Sequence, residues 1–418
     1  MKNLQLLIIP LLVFISCEEK EESDLDLGDY HLFTATFEEG EFDDDVTSFI
    51  FISDGDGNVL ADSSFVGAAS FELFADTSLS PPPDTISVTT VTKEGENFEI
   101  VTNLGIDKGS EWTWYNPYYE PEEIGQSYYN FTNLPDNLFR VIISSNGRYR
   151  SAFNDNDTYE LSHNESLEDV LIMGLLNDGS ATYKIVQGVS VGETHSIDFS
   201  EFSVANQIIM NNNSDLNCDY SRLDGYDSND SFISYKRHRL NYSGGEGINW
   251  DSNQNFIFNY PPEFGKFRTQ AYVGDSWGTT GGKNWYQTTA GEIPQTFEKI
   301  DADISVINSE INNFEMNLTG TFDQWEMELR SSRDTGDIDF WYVYVNPSIN
   351  NGKLPSFPTS ISNEYPELLR QDFIMNSVAV TDWLCAENYE EWHDLYFYTD
   401  GYYLDYCSGF RRLMHWLD

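Results

Sequence analysis

The sequence predicts an all-β, mainly antiparallel protein built from two or three tandem β-sandwich-like domains. Short runs of alternating apolar and polar residues are punctuated by Gly, Asn and Asp, and sustained helical periodicity is nearly absent. Hydrophobic residues make up 40% of the 418 residues and aromatic residues 15%, so the chain has enough apolar material for several cores. No fixed-period repeat is evident, which argues against a propeller or a solenoid.

The first predicted sandwich covers residues 30–125. Apolar runs at residues 47–52 and 59–61 lie on either side of the sequence Ser-Asp-Gly-Asp-Gly-Asn. This combination is typical of two antiparallel strands joined by a tight turn. Further alternating runs follow at the spacing of a β-sandwich, so we expect the whole region to form one.

Two more β-rich regions are predicted further along the chain. Residues 126–210 contain a second set of strand-like runs and form a second β-sandwich-like domain, and the polar stretch 211–215 marks its end. Residues 211–418 form a larger, aromatic-rich β domain that holds eight of the ten tryptophans. Helical candidates are few and short, for example residues 364–375 around Pro366.

The strong negative charge limits the partners of the chain. Seventy Asp and Glu residues against 22 Lys and Arg residues give a formal charge of −48, which repels nucleic acid and excludes it as a partner. Solubility in a salty medium explains such acidity, and a cation-binding role is the alternative. A basic island at residues 235–239 stands out, and it either pairs with acids across a strand or docks an anionic ligand.

The N-terminus predicts the location of the protein. Lys2 precedes an apolar run at residues 4–15, which is too short to span a bilayer and is typical of a signal peptide covering residues 1–16. The stretch Val-Phe-Ile-Ser-Cys that ends at Cys17 resembles the lipobox of bacterial lipoproteins. This resemblance implies that Cys17 is lipidated and anchors the mature chain in a membrane. An ordinary cleaved signal followed by a chance cysteine is the alternative.

Residues 17–29 form an acidic tether that is too polar to bury anything. They resemble the acidic signal that follows the lipidated cysteine in surface-exposed lipoproteins of Bacteroidota-type bacteria. The resemblance covers about the first thirty residues. It implies an outer-membrane anchor, with the protein on the extracellular face and held by acyl chains.

The cysteines do not form a disulfide framework or a metal site. Apart from Cys17 there are three, Cys218, Cys385 and Cys407, and no CxxC, Cys/His grouping or HExxH motif occurs. Cys385 and Cys407 flank an aromatic stretch that resembles a hairpin, and an oxidising exterior would allow them to pair. Cys218 is then expected to be buried or free.

One candidate cation site lies in the first predicted hairpin. Asp54, Asp56 and Asn58 have the alternating oxygen ligands that begin a calcium loop. The twelfth position of such a loop is Phe65, where an EF-hand needs a glutamate, so the EF-hand interpretation fails. A hairpin turn is the alternative explanation of this segment. Calcium at this position is the only cofactor that the sequence suggests.

The sequence does not assign a catalytic residue. Ser276 lies in a GxSxG pattern, but the residues after it include Gly281 and Gly282 and are poor helix formers, which favours a surface turn over a nucleophile elbow. His238 and His393 have the most polar surroundings of the histidines, but no spacing connects either of them to Ser276. Carboxylate pairs are uninformative among seventy acids.

Aromatic residues near Gly, Pro and Asn are the candidates for ligand binding. Flat apolar rings edged by amides and carboxylates suit the stacking of sugar rings. The alternative is that these rings fill the interior of the sandwiches. The candidates are Trp112, Trp114, Tyr118, Tyr119, Trp277, Trp285 and Tyr286.

Together these features predict a lipid-anchored surface protein that binds or adheres rather than catalyses. In outline the chain resembles the uncharacterised and glycan-uptake surface lipoproteins of Bacteroidota-type bacteria, which implies capture of an extracellular polysaccharide or another surface ligand. One alternative is a surface-anchored hydrolase of an external polymer. The other is a structural or assembly lipoprotein that docks a membrane partner through a sheet face or an open strand edge.

Overall fold

The computed structural model describes residues 29–40, 42, 44–76, 82–114, 121–153, 158–227, 232, 237–244, 250–275, 278–332, 338–368, 372–398 and 407–417. It confirms the predicted fold class, since 62% of the described residues lie in strands, 5% of them are helical, and most sheets are antiparallel. Within these residues no helix has the length and apolar character needed to cross a membrane. The predicted signal peptide, Cys17 and nearly all of the acidic tether lie outside the described residues.

The strands are numbered in chain order. The first fifteen are β1 (Asp29–Phe37), β2 (Ser48–Ser53), β3 (Val59–Phe65), β4 (Ala69–Asp76), β5 (Thr85–Glu94), β6 (Asn97–Asp107), β7 (Ser110–Trp114), β8 (Gly125–Thr132), β9 (Leu138–Ser145), β10 (Arg148–Phe153), β11 (Tyr159–His163), β12 (Leu167–Leu176), β13 (Ala181–Ser190), β14 (Thr194–Asp198) and β15 (Ser203–Val204). The others are β16 (Asn206–Asn212), β17 (Cys218–Tyr226), β18 (His238–Gly244), β19 (Phe256–Tyr260), β20 (Lys266–Gly274), β21 (Lys283–Gly291), β22 (Thr296–Phe297), β23 (Ala302–Asn308), β24 (Phe314–Gly320), β25 (Gln324–Ser332), β26 (Ile338–Val345), β27 (Asn351–Gly352), β28 (Ile374–Trp383) and β29 (Gly409–Trp416).

The largest sheet has twelve strands in the order β18-β17-β20-β21-β29-β28-β25-β26-β6-β5-β2-β3. Strands β26 and β6 pair in parallel, with Phe340 opposite Glu99 and Val345 opposite Leu104. This pairing brings strands from the predicted N-terminal sandwich and from the predicted C-terminal domain into one sheet. No local pattern signals it, because a parallel partner that lies far away in the sequence leaves no turn to recognise. The domain boundaries at residues 125 and 210 remain a prediction.

Smaller sheets cover parts of both faces of the large sheet. The sheet β4-β1-β7 packs on β2 and β5 in one core, in which Phe33 and Phe37 meet Ile50 and Ile52. Phe51, which points the other way, belongs to a second core together with residues of β23, β24, β25 and β26. Strand β2 is therefore buried on both faces, which explains its unbroken apolar sequence.

The region between residues 125 and 204 forms a sandwich of two sheets, β10-β9-β12-β13-β15 and β11-β8-β14. Their shared core includes Tyr129 from the smaller sheet and Ile143 and Val170 from the larger one. On its opposite face, the larger sheet places Ile142 and Leu171 in a core that also contains residues of β17, β19 and β20. This sandwich thus packs against the end of the twelve-stranded sheet that contains β17.

The described helices are short and differ from the prediction. The sequence predicts a helix over residues 364–375, but helix α1 (Thr359–Glu364) ends at Glu364. Strand β28 begins at Ile374, within the predicted helix. The reason is Pro366, because its ring disfavours helical backbone at the preceding residue, and Tyr365 has left the helical conformation with φ −123° and ψ 68°. Helix α2 (Tyr389–Tyr398) lies between two cysteines that form a disulfide, Cys385 and Cys407.

Candidate functional site

The proposed calcium ligands form the turn between β2 and β3. Oδ1 of Asp54 accepts hydrogen bonds from the backbone N–H groups of Asp56 at 3.0 Å and Asn58 at 2.8 Å, and its Oδ2 accepts one from Asn58 Nδ2 at 2.9 Å. Gly57 has φ 77°, which suits the turn. The geometry is therefore that of a hairpin turn closed by an Asp side chain. Among the described residues, no three His, Cys, Asp or Glu side chains lie close enough to hold a metal ion together.

Two of the predicted stacking residues, Trp112 and Trp114, fill the core instead. They are 4% and 9% exposed, and Trp112 makes an edge contact with Phe33 at 5.2 Å and stacks on His393 at 4.7 Å. Strand β7, which carries both rings, pairs with β1 and turns them between the sheets. The interpretation of these two tryptophans as a binding platform is wrong. Tyr118, Tyr119 and Trp277 lie outside the described residues.

Trp285 and Tyr286 are neighbours on β21 and therefore point to opposite faces of the sheet. Trp285 packs against the cores on one face, and Nζ of Lys299 lies 4.4 Å from the centre of its ring. Tyr286 belongs to a small cluster on the other face. The two rings cannot form one platform, so the predicted aromatic site separates into two surfaces, of which the one with Tyr286 holds further tyrosines.

Three tyrosines on adjacent strands form a row on this face of the twelve-stranded sheet. Tyr220 on β17 is opposite Tyr272 on β20, which is opposite Tyr286 on β21. The first two rings stack with centres 4.6 Å apart and planes 19° apart, and the second and third lie 4.3 Å apart and tilted by 59°. We call Tyr220, Tyr272 and Tyr286 the tyrosine row.

The apolar cluster next to the tyrosine row differs from the larger cores in the strands that contribute to it. The cluster contains Tyr286, Ala379, Met414 and Trp416, with Tyr272 packed against them, and all of these belong to the twelve-stranded sheet itself. The three larger cores in which this sheet takes part also include residues from other sheets. Tyr220 and Tyr272 are half-buried and Tyr286 is 5% exposed. Tyr220 and Tyr272 therefore retain a surface that a ligand can reach.

Polar groups continue the row onto the next strands. Arg412 on β29 is opposite Tyr286 and forms an ion pair with Glu326 on β25. Burial is the largest single effect on Arg412 and acts to lower its pKa, but Glu326, Tyr286 and Tyr344 together outweigh it and raise the pKa. Burial also raises the pKa of Tyr286, so its hydroxyl stays protonated, and it lies 3.7 Å from Sδ of Met414. The surface thus combines neutral phenol rings with a fixed ion pair, which suits stacking and hydrogen bonding.

A buried polar chain in the sandwich of residues 125–204 escaped the sequence analysis. Oγ of Ser127 lies 2.6 Å from Nε2 of His163, and Nδ1 of His163 lies 3.3 Å from Oε2 of Glu168. Ser127 also donates a hydrogen bond to the hydroxyl of Tyr129 at 2.8 Å. The order serine, histidine, carboxylate is that of a hydrolase triad. No sequence signal could reveal it, because β8, β11 and β12 contribute one residue each.

This polar chain is closed to solvent. Ser127 and His163 are 0% exposed, and the side chain of Glu168 is 0% exposed as well. Glu168 Oε1 also accepts hydrogen bonds at 2.7 Å from the backbone N–H groups of Asn164 and Glu165. Burial acts to raise the pKa of Glu168, but His163, Ser145 and these two backbone hydrogen bonds together outweigh burial and lower it. In this state the three polar side chains connect the two sheets of the sandwich and are not accessible to a substrate.

Burial shifts the pKa of three other residues considered for chemistry, Cys218, His238 and His393. The thiol of Cys218 is free and buried, and it donates to the carbonyl of Gln254 at 2.8 Å. Burial raises its pKa to about 12, which makes it a poor nucleophile. Burial lowers the pKa of His238 and that of His393, the latter to about 3. Ser276 of the GxSxG pattern lies outside the described residues.

Comparisons with known proteins do not identify the chain. No protein-family model matches it, and no curated protein matches it. Among solved structures, it is similar to one described as the crystal structure of a tetra-tandem repeat in the extending region of a large adhesion protein. The match has 10% sequence identity, covers 84% of this chain and 95% of that chain, and has a TM-score of 0.14. A score this low supports no conclusion about function.

Proposed function

We propose that this protein is a lipid-anchored binding protein on the extracellular face of an outer membrane, and that the tyrosine row captures an extracellular polysaccharide. The observation that carries the proposal is the alignment of Tyr220, Tyr272 and Tyr286 on three neighbouring strands. Neighbouring strands lie about 4.8 Å apart, so the row extends over about 10 Å. A linear polymer can place consecutive rings along such a row.

The chemistry of the row supports a sugar ligand. Because the rings stack on one another, they offer their apolar edges and their hydroxyls, which can contact a sugar ring and form hydrogen bonds with it. Gln270 and Thr288 occupy the next same-face positions along β20 and β21, two residues beyond Tyr272 and Tyr286, and lie opposite each other. Strand positions fix the rings in advance, which reduces the entropy cost of binding.

The location is proposed from the N-terminus. The lipobox resemblance at Cys17 and the acidic tether after it support an acylated chain on the outer surface, where polysaccharides of the medium are available. A sheet face held behind a tether is well suited to contact a large polymer. The alternatives, a surface hydrolase and an assembly lipoprotein, make different predictions in the experiment below.

Affinity electrophoresis tests the proposal. The mature chain carrying Cys17→Ser, which prevents lipidation, is run through native gels that contain different polysaccharides. We expect retardation by at least one polysaccharide without release of shortened sugars, whereas release would indicate a hydrolase. Failure of every polysaccharide to retard the chain would contradict the proposal and favour docking to a protein partner.

Substitutions then locate the binding surface. Each aromatic contact contributes about 0.5–1.5 kcal/mol, so the double variant Tyr220→Ala/Tyr272→Ala should bind about tenfold more weakly. Tyr30→Ala is the matched control, because Tyr30 is 41% exposed and lies on β1, which is not a strand of the row. Unchanged retardation of the double variant would remove the tyrosine row from the proposal.

A further inference from the structure

The tyrosine row ends beside a concentration of basic residues. Five of the 22 Lys and Arg residues of this acidic chain lie on or directly before three adjacent strands, β18, β17 and β20. Asp224 on β17 is opposite one of them on each side, Arg239 and Arg268. We call these five residues the basic cluster: Arg222, Arg237, Arg239, Lys266 and Arg268.

A single carboxylate lies among three of these guanidinium groups. Asp224 is 0% exposed and accepts hydrogen bonds from Nε of Arg222 at 2.7 Å and from Nε of Arg239 at 2.5 Å. Burial acts to raise the pKa of Asp224, but Arg222, Arg239 and Arg237 outweigh it and lower the pKa. The ring of Tyr149 lies 4.2 Å from the guanidinium carbon of Arg239. The carboxylate of Asp224 is therefore hydrogen-bonded to both Arg222 and Arg239.

Arg237 is the member of the cluster that this carboxylate does not satisfy. Its Nε is buried and has no hydrogen-bond partner within the part of the chain that the structure describes. Burial lowers the pKa of Arg237, the carboxylate of Asp224 opposes this effect, and the charges of Arg222 and Arg239 add to it. Asp224 is thus shared among three guanidinium groups, which leaves an excess of positive charge that an anion from outside would offset.

The basic cluster and the tyrosine row share one face of the sheet. Tyr220 and Arg222 are two residues apart on β17, so their side chains lie on the same side and about 6.7 Å apart along the strand. Tyr272 and Arg268 lie on the same side of β20 for the same reason. Tyr220 also contributes to the electrostatic environment of Arg222, which supports their proximity.

We propose that the basic cluster binds the anionic group of an acidic polysaccharide, a carboxylate or a sulfate ester, whose sugar rings lie on the tyrosine row. This inference rests on the proposed function and names the class of its ligand. Guanidinium groups form paired hydrogen bonds with carboxylates and with sulfate esters, so a surface that contains them binds these anions more strongly than phenols alone would. The net charge of −48 repels a polyanion at long range, but salt screens that repulsion beyond about 10 Å at 0.1 M, whereas contacts in the cluster act at shorter range.

Affinity electrophoresis with three polysaccharides tests the inference. Polygalacturonate carries carboxylates, carrageenan carries sulfate esters, and laminarin is a neutral glucan. We expect at least one anionic polymer to retard the mature Cys17→Ser chain more strongly than laminarin does. The polymer that is preferred distinguishes carboxylate from sulfate. Retardation by laminarin equal to that by both anionic polymers would overturn the inference and leave the proposed function standing, whereas no retardation by any polymer would overturn both.

Substitution of Arg237 supplies the decisive comparison. We expect Arg237→Gln to weaken retardation by the anionic polymer about tenfold and to leave any retardation by laminarin unchanged. Arg237→Lys keeps the positive charge but loses the paired hydrogen bonds, so it should bind more strongly than Arg237→Gln and more weakly than the wild type, which separates loss of charge from loss of folding. Lys353→Gln makes the same charge change at an exposed residue outside the cluster and should have no effect. Equal binding of the wild-type and Arg237→Gln chains to the anionic polymer would refute the inference.

Discussion

The buried contact between His163 and Glu168 leads to a quantitative prediction about stability. Replacing Glu168 with alanine removes the acceptor of two backbone N–H groups, those of Asn164 and Glu165, and removes the carboxylate that faces His163. The contact between Glu168 and His163 lies away from water, since both side chains are 0% exposed, whereas the two amides belong to a partly exposed turn. We therefore expect the sandwich of residues 125–204 to open more easily in the Glu168→Ala variant.

The size of the effect follows from the number of groups left unsatisfied. A buried group left without its partner costs about 1–3 kcal/mol, so we expect a loss of about 2–6 kcal/mol for His163 and the two amides together. A loss of about 3 kcal/mol makes exchange of protected amides more than about a hundredfold faster. Hydrogen exchange followed by mass spectrometry measures this locally in β8, β11 and β12, without assuming that the whole chain unfolds in one step.

Two further variants make the measurement decisive. Glu160→Ala removes a carboxylate of the same type from an exposed position on β11 and should change the opening free energy by less than about 0.5 kcal/mol. Glu168→Gln keeps an oxygen that can accept hydrogen bonds from the amides. Its opening free energy should lie between those of the Glu168→Ala and Glu160→Ala variants. Equal exchange rates in β8, β11 and β12 of the Glu168→Ala and wild-type chains would show that the polar chain does not hold the two sheets together.

Two other outcomes follow from the pKa shifts. Because the folded-state pKa of Glu168 is lowered, the stability it contributes is complete above its unfolded-state pKa of about 4.3 and is lost as the pH falls through the folded value. Acid unfolding of the sandwich should therefore be less steep in Glu168→Ala, and identical acid transitions would contradict this. The thiol of Cys218, with its pKa raised to about 12, should react with iodoacetamide at pH 8 more than about a hundredfold more slowly in the folded than in the denatured Cys17→Ser chain, and equal rates would contradict its burial.

Local sequence patterns were sufficient for the fold class and for individual hairpins. Alternation of apolar and polar residues predicted the strands, because the side chains of a strand alternate between two faces. The Asp and Gly residues at 54–57 predicted the turn between β2 and β3, because an Asp side chain can close a turn and Gly tolerates a positive φ. The pairing of Cys385 with Cys407, which the sequence allowed as one arrangement, is present in the structure.

The same patterns could not assign aromatic residues to a surface or a core. Trp112 and Trp114 have the neighbours of a binding loop, yet the pairing of β7 with β1 places both in the interior. The tyrosine row has no motif, since Tyr220, Tyr272 and Tyr286 come together only through the register of three strands. Strand pairing is decided by the whole fold, and a shift of one residue would turn each ring to the opposite face.

The sequence by itself therefore determined an acidic all-β chain, and it predicts a lipidated N-terminus and an outer-surface location. Only the tertiary structure decided which side chains meet. It joined strands from both ends of the chain in one sheet through β6 and β26, assembled Ser127, His163 and Glu168 from separate strands, and placed Arg239 and Arg268 on either side of Asp224. The physical reason is that secondary structure depends on short-range geometry, whereas these sites depend on contacts between residues that are distant in sequence and are fixed only when the sheets pair and pack.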